Sequence, residues 1–471
     1  MNYTDEVKLH NARFLYLVIN IIMTALFLML SISYEIFGFW GYEILSLMMF
    51  GYFCIILNIS VSNSSLYSAF SLFLILSVVF IYGRFFLELV HLYDYNSFDL
   101  FYHGEILIET KFKVLQLLIS CMLGASTAFL LFYSKYSLEI QNDRFLETFA
   151  ITLIKVVSVP LLFNYIVELK YIISHGYLAI FTGQMRSSTN TILPYLLPRL
   201  LLFLYYVFLS SLPSKENFRK VSFFVLAILL VNALKGQRGE ILLMAITMLW
   251  YYCHVYSEKV NIKKSLILLS VVLIFSEIMV NVRVDKEIDA MMLLDAPVSF
   301  IEVNGLSSNI PMYMIQFYED LESVGVPYFF GATYDYFYRI FVDRDVFYAG
   351  PSPELIEASK FLPFHMINYI NQASFYNGNG TGSSYLAELY DLSGIYASFF
   401  TMFLITAFVV SIEKYALKYR YILLVSPLII GKFTYMPRDS FMKLFDDLIP
   451  NSVIFLFILL FIRITKGKKN A

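Results

Sequence analysis

A chain of 471 residues that is 59% hydrophobic, 18% aromatic and only 15% charged, with a mean hydropathy of +0.68, is too oily for a water-soluble globule, so lipid is the solvent for most of it. Its formal net charge of -2 argues against a nucleic-acid partner, because neutralising a phosphate backbone needs a basic face that these residues do not assemble. Cys54, Cys121 and Cys253 stand singly in apolar runs and the six histidines show no paired spacing, so no disulfide framework, metal or cofactor is expected.

In chain order, apolar windows of about 20 residues predict membrane helices at 14–34, 43–60, 66–83, 114–133, 146–168, 192–212, 221–234, 241–256, 265–282, 386–411, 421–435 and 451–464, twelve in all. The first is too long for a signal-peptide core and lacks a small-residue cleavage site, so it is expected to remain as a spanning helix. The runs at 221–234 and 421–435 are short, and each ends in a polar cluster that contains an arginine. Between the ninth and tenth helices, residues 283–385 carry thirteen acids against five Lys and Arg. Prolines and glycines punctuate short periodic pieces there, such as 334–341 and 354–361, which read as short helices near the membrane surface. The layout is therefore an all-α polytopic bundle: helices one to nine over 1–282, a large loop over 283–385, and three helices with a basic tail over 386–471.

Orientation follows from Lys and Arg in the short connections. With the N-terminus in the cytoplasm, the inner segments hold Lys8 and Arg13, Lys135 and Arg144, Lys215, Arg219 and Lys220, Lys259, Lys263 and Lys264, Lys414, Lys418 and Arg420, and Lys466, Lys468 and Lys469. Both termini then face the cytoplasm and the long loop lies outside.

Charged residues close to hydrocarbon are costly and persist for a reason. On the outer side, Lys235 to Glu240 joins two apolar helices with scarcely a loop, which sets Arg238 at or below the headgroups. Arg283 closes the ninth helix, Arg438 follows the eleventh, and Arg339 lies in the loop. A guanidinium grips two phosphate oxygens at once, so converging arginines suit a lipid-linked diphosphate. Taken singly, each could instead anchor a headgroup or pair with a neighbouring acid such as Glu240 or Asp439. Arg238, Arg283 and Arg438 are the leading candidates for the diphosphate, with Lys235 and Arg339 behind them.

The glycine-rich stretch 377–382 makes a permissive turn, after which Ser383 or Ser384 can cap the next helix, with Glu388 about one turn in. Such a turn presents N–H groups to an anion or to sugar hydroxyls, or it simply caps the helix. Ser383, Ser384, Tyr385 and Tyr334 are the candidate sugar contacts. Tyr328, Tyr336 and Tyr338 offer similar flat faces, although interfacial tyrosines are also ordinary anchors. His365, the only histidine of the long loop, is the first candidate for a general base and Glu388 the second.

Four motifs, GQRGE at 236–240, GATYDYFYR at 331–339, GNGTGSSYLAELYDLSG at 378–394 and MPRDSF at 436–441, follow in order. With them the chain resembles the Wzy-type O-antigen polysaccharide polymerases, including relatives that polymerise enterobacterial common antigen. The motifs span the C-terminal half, and the hydropathy plan agrees over the whole length. Where the family often continues with a phrase like nFG, this chain has Asp391, Leu392, Ser393 and Gly394. The resemblance implies a fold similar to the C superfamily of membrane glycosyltransferases, in the bacterial inner membrane. It implies transfer of a growing glycan from undecaprenyl diphosphate onto the next lipid-linked repeat unit, without a nucleotide sugar. Attack from the face opposite the leaving group would invert the anomeric configuration, and guanidinium groups in place of a divalent ion would make the reaction independent of metal. Undecaprenyl-diphosphate-linked glycans are the implied partners, and a chain-length regulator in the membrane is the protein partner to look for. A flippase for the same lipid-linked unit and an O-antigen ligase are the alternatives; a flippase would not need a hundred-residue outer loop.

Overall fold

A computed structural model describes residues 3–37, 39–92, 104–134, 138–175, 193–234, 238–257, 296–378 and 380–453. Helices and connecting turns make up these residues, and no strand occurs among them. The long described helices are α1 (Tyr3–Phe37), α2 (Phe39–Asn63), α3 (Ala69–Leu89), α4 (Ile108–Phe132), α5 (Arg144–His175), α6 (Leu193–Ser210), α7 (Lys215–Leu234) and α8 (Arg238–Val255). Short helices follow: α9 (Ala296–Asn304), α10 (Asn309–Gln316), α11 (Tyr318–Leu321), α12 (Tyr328–Phe341), α13 (Asp345–Tyr348), α14 (Pro353–Ala358), α15 (Leu362–Ile370) and α16 (Gln372–Tyr376). The chain then returns to long helices with α17 (Tyr385–Ala416) and α18 (Arg420–Tyr435).

The expected segments from 14–34 to 241–256, and those at 386–411 and 421–435, each coincide with a described helix to within a few residues at their ends. The segment 265–282 lies outside the described residues, and only 451–453 of the last is described, as helix. Seven described helices are long and apolar enough to cross a membrane: α1 to α5, α7 and α17, the apolar stretches of the first and second starting at Phe14 and Trp40. Leu196–Ser210 and Gly239–Val255 are shorter apolar helices. This is a multi-pass helical membrane protein.

Its centre is the pair α4 and α17, with α1 and α2 flanking α4 and α18 bridging to α3, α6 and α8. The two central helices approach closely because Gly124 has no Cβ; one built there would stand 2.1 Å from the carbonyl oxygen of Phe399. In lipid, polar side chains must find partners within the protein. Asn20 of α1 donates to Ser126 of α4 at 2.8 Å, and Tyr52 of α2 shares a 2.7 Å bond with the same hydroxyl, so one buried serine joins three helices. Pro427 inside α18 cannot donate to the carbonyl of Leu423, and the Ser426 hydroxyl does so instead at 3.2 Å.

Residues 296–376 pack at one end of the bundle, with α10 against α4 and α17, and α12 against α17 and the short 3-10 turn Phe441–Lys443. Towards this loop end α3 contains a π-helical turn, Val78–Tyr82, against which Gly305–Ser308 rests. At the opposite end Glu413 of α17 is buried and accepts from the backbone N–H of Ala69 at 3.1 Å and from Trp250 Nε1 at 2.8 Å. Its carboxylate thereby ties α17 to the start of α3 and to α8.

Candidate active site

Where α17 begins, the expected serine cap is replaced by a different arrangement. The N–H of Tyr385 donates to the carbonyl of Met436 at 3.1 Å, so the neighbouring turn serves this helix end. The Ser384 side chain makes no capping bond. Ser383 turns to Glu388 instead and donates to Oε1 at 2.7 Å, while Ser440 donates to Oε2 at 3.0 Å. Glu388 is fully buried, and this strap of two hydroxyls on one carboxylate holds the glycine-rich turn against the segment 436–440. Tyr385 is buried with its ring against Phe73, which leaves no face for a sugar.

The strap sets Arg438, two residues before Ser440, at the surface. Its Nη1 donates to Asn304 Oδ1 at 2.9 Å, and its guanidinium sits 5.3 Å from the ring centre of Phe80 in the π-helical turn. Asn304 is oriented for this by its own amide, which donates to the carbonyl of Phe300 at 2.8 Å. Among the described residues no carboxylate pairs with Arg438.

One turn beyond Phe80, Arg84 is completely buried, with Nε on the carbonyl of Glu302 at 2.8 Å and Nη1 on Asn309 Oδ1 at 3.0 Å. Segment 302–309 therefore holds two arginines from distant parts of the chain. Sequence reasoning passed over Arg84, although an arginine inside the apolar run 69–89 is the signal that finds it.

Four other cations of this region are paired with acids. Lys443 binds Asp439 at 2.6 Å, Lys432 and Arg199 approach Asp447 at 3.1 and 3.9 Å, and Arg339 reaches Asp446 at 3.2 Å. Burial pushes against ionisation of Asp439, but Lys443 and Lys432 beside it hold its carboxyl below the usual range. Asp446 has less help: burial outweighs Arg339, and its carboxyl is pushed up to about 6.

The other sequence candidates divide. A Cβ on Gly239 would stand 3.1 Å from Tyr435 Oη, so the start of α8 lies against the turn that carries Arg438. The side chain of Arg238, and all of Lys235 and Arg283, lie outside the described residues. Arg339 donates Nε to the carbonyl of Asp335 at 3.1 Å and lies over the Phe347 ring, so α12 and Asp446 hold it in place. Tyr334 is half-buried beside Tyr338, while Tyr328 and Tyr336 are buried. His365 lies half-buried on α15; its Nε2 donates to the carbonyl of Ser359 at 2.8 Å, which leaves Nδ1 as the acceptor nitrogen. Burial lowers its basicity, and Lys360 adds to that effect. The ring packs 5.5 Å from Tyr328, whose N–H is held by Asp391 of α17 at 2.8 Å. His365 and Glu388 share no hydrogen-bond partner among the described residues; the link between them runs through Tyr328, Asp391 and α17.

Residues 18–469 match the family described as O-antigen polysaccharide polymerase Wzy. The chain belongs to that family. No curated protein and no solved structure matches it. As a Wzy polymerase it joins O-antigen repeat units, a glycosyl transfer on lipid-linked substrates. The polymerase thus presents, at its loop end, one exposed guanidinium held by an amide and an aromatic face, beside a strap that fixes the two turns around it.

Proposed function

We propose that Arg438, with Arg238 and Arg283, binds the diphosphate of an undecaprenyl-linked glycan on the periplasmic side of the inner membrane. Lys235 and Arg339 flank this site. The full architecture we infer has twelve crossings, both termini in the cytoplasm and residues 283–385 outside. A hydroxyl of the acceptor repeat unit attacks the anomeric carbon of the donor chain, with inversion, and a new C–O glycosidic bond forms. The C–O bond to the diphosphate breaks, its electron pair leaves with undecaprenyl diphosphate, and the hydroxyl proton passes to His365 Nδ1. Charge grows on the leaving diphosphate as that bond breaks, and preorganised guanidinium groups stabilise it without a divalent ion. Glu388 acts through its strap, of which Ser383 is one arm, to position Arg438, while Tyr334 is the sugar contact.

The observation that carries this reading is Arg438 itself, an exposed cation at the meeting point of three sequence motifs that pairs with no acid among the described residues. Reconstitution with a defined undecaprenyl-diphosphate oligosaccharide tests it. A polymerase lengthens the glycan on the same lipid, a ligase moves it to another lipid, and a flippase leaves it unchanged. Arg438→Ala is expected to lower the rate by about 100-fold or more, and Arg438→Lys, which keeps charge but loses the fork, to recover only part of it. Normal chain growth in both variants would sink the diphosphate assignment.

A further inference from the structure

Away from the arginines, an open crevice of about 450 Å³ lies along the outer part of α17. It is lined by Tyr318 of α11 and by Tyr390, Asp391, Ser393, Gly394 and Tyr396, among other residues of the same stretch. We propose that this crevice is a glycan subsite of the polymerase, taking neutral or amino sugars of the acceptor repeat unit next to the bond being formed. The proposal deepens the polymerase function given above and rests on it.

Four features of the crevice carry it. First, its charge is the reverse of the Arg438 turn. No lining residue is basic, Asp391 is acidic, and Tyr318 donates to Glu322 at 3.3 Å. Burial, then Glu322 and Asp391, push the Tyr318 hydroxyl up to about 12. Such a surface repels a diphosphate and attracts hydroxyl or ammonium donors. Second, it is aromatic: the Tyr318 and Tyr390 rings meet edge to face at 5.2 Å, and Tyr396 is 55% exposed. Flat apolar faces beside polar edges match a pyranose, which has C–H groups on its faces and hydroxyls around its rim.

Third, the crevice is built into the backbone. Gly394 has φ 67 and interrupts α17, a conformation that strains any residue with a Cβ. Carbonyls released by the interruption are met by hydroxyls, Ser398 donating to Gly394 at 2.5 Å and Ser393 to Leu389 at 3.1 Å. Fourth, its position suits the reaction. Tyr390 and Asp391 follow Glu388 by two and three residues, a rise of about 3–5 Å along the helix. Asp391 also holds the N–H groups of Ser323 at 3.1 Å and Tyr328 at 2.8 Å, and the Tyr328 ring packs on His365. The crevice thus shares its helix with the strap, and through Asp391 and Tyr328 it is joined to the proposed base.

The test uses the full-length protein in nanodiscs and, as probe, the repeat-unit oligosaccharide freed of lipid and phosphate. Saturation-transfer NMR is expected to show binding to wild type, weakened about tenfold in Tyr390→Ala and Tyr318→Ala and kept in Tyr390→Phe, which retains the ring face. Tyr396→Ala, at a half-exposed position, serves as the variant whose folding is least at risk. In the polymerisation assay the same Ala variants should raise the KM for acceptor by a similar factor while kcat at saturation changes less than about twofold. No transfer to wild type, or equal affinity in all Ala variants, overturns the subsite. The binding arm needs no turnover, so failure of the crevice with intact chain growth is distinct from failure of the polymerase reading itself.

Discussion

Arg438 and Arg339 carry the same side chain and are held in opposite ways. Arg339 commits its charge to Asp446 and its donors to α12, whereas among the described residues Arg438 meets a neutral amide and an aromatic face. An incoming anion must break an ion pair at the first and merely replaces an amide oxygen at the second. Arg339→Gln should therefore lower polymerisation far less than Arg438→Ala, by about threefold against about 100-fold, in the same reconstituted assay. His365 supports a second prediction at this scale. Its lowered basicity keeps the imidazole neutral to a pH below the usual 6.5, so the acid limb of the rate profile should lie below that value. His365→Gln should lower the rate about 100-fold and remove the limb; an unchanged profile would assign the proton elsewhere. Asp335 gives a third. It accepts from Ser359 Oγ at 2.5 Å and from the N–H of Lys360 at 2.8 Å, yet burial outweighs these bonds and pushes its carboxyl from an ordinary 3.8 to about 6. Between those values the folded protein keeps a proton that the unfolded chain has released, so stability falls as pH rises through the window. Thermal unfolding of Asp335→Asn should show a flatter slope there than wild type.

Among the elements, α12 shows how much a motif can conceal. Gly331 opens the motif GATYDYFYR, and a Cβ there would lie 1.8 Å from the carbonyl oxygen of Lys360. The glycine thus lets α12 press on the backbone of 359–361, where Asp335, four residues on, takes its two bonds. Gly331→Ala must push that segment away, at a cost of about 1–3 kcal/mol. Limited proteolysis within 342–352 should become faster, and loss of activity should accompany it. Apolar runs made most of the long helices legible, since lipid demands them, and the short pieces at 334–341 and 354–361 also proved largely helical. The Arg438 turn was legible as an arginine at an apolar helix end. Other parts of the site were not, because they depend on pairings between distant residues. Arg84 finds its partners at 302 and 309, and Asp391 finds its own at 323 and 328. The Ser383 and Ser384 caps looked adequate from local spacing alone, but the Met436 carbonyl and the Glu388 carboxylate changed how that helix end is served.

For the molecule as a whole, the proposed orientation can be checked without any substrate. With Cys54, Cys121 and Cys253 replaced by serine, a single cysteine at Ser352 should react with an impermeant maleimide added to intact spheroplasts. One at Lys466 should react only after the membrane is opened, and the reverse pattern would turn the molecule over. Its central helix also has a mechanical consequence. α17 is fastened near its start by the strap on Glu388 and near its finish by Glu413, which grips two other helices. A carrier that opens alternately to two compartments needs long rods that slide or rock past one another. A rod bolted at both extremities, even with the break at Gly394 between them, resists such travel, which suits a machine that works at one stationary bench.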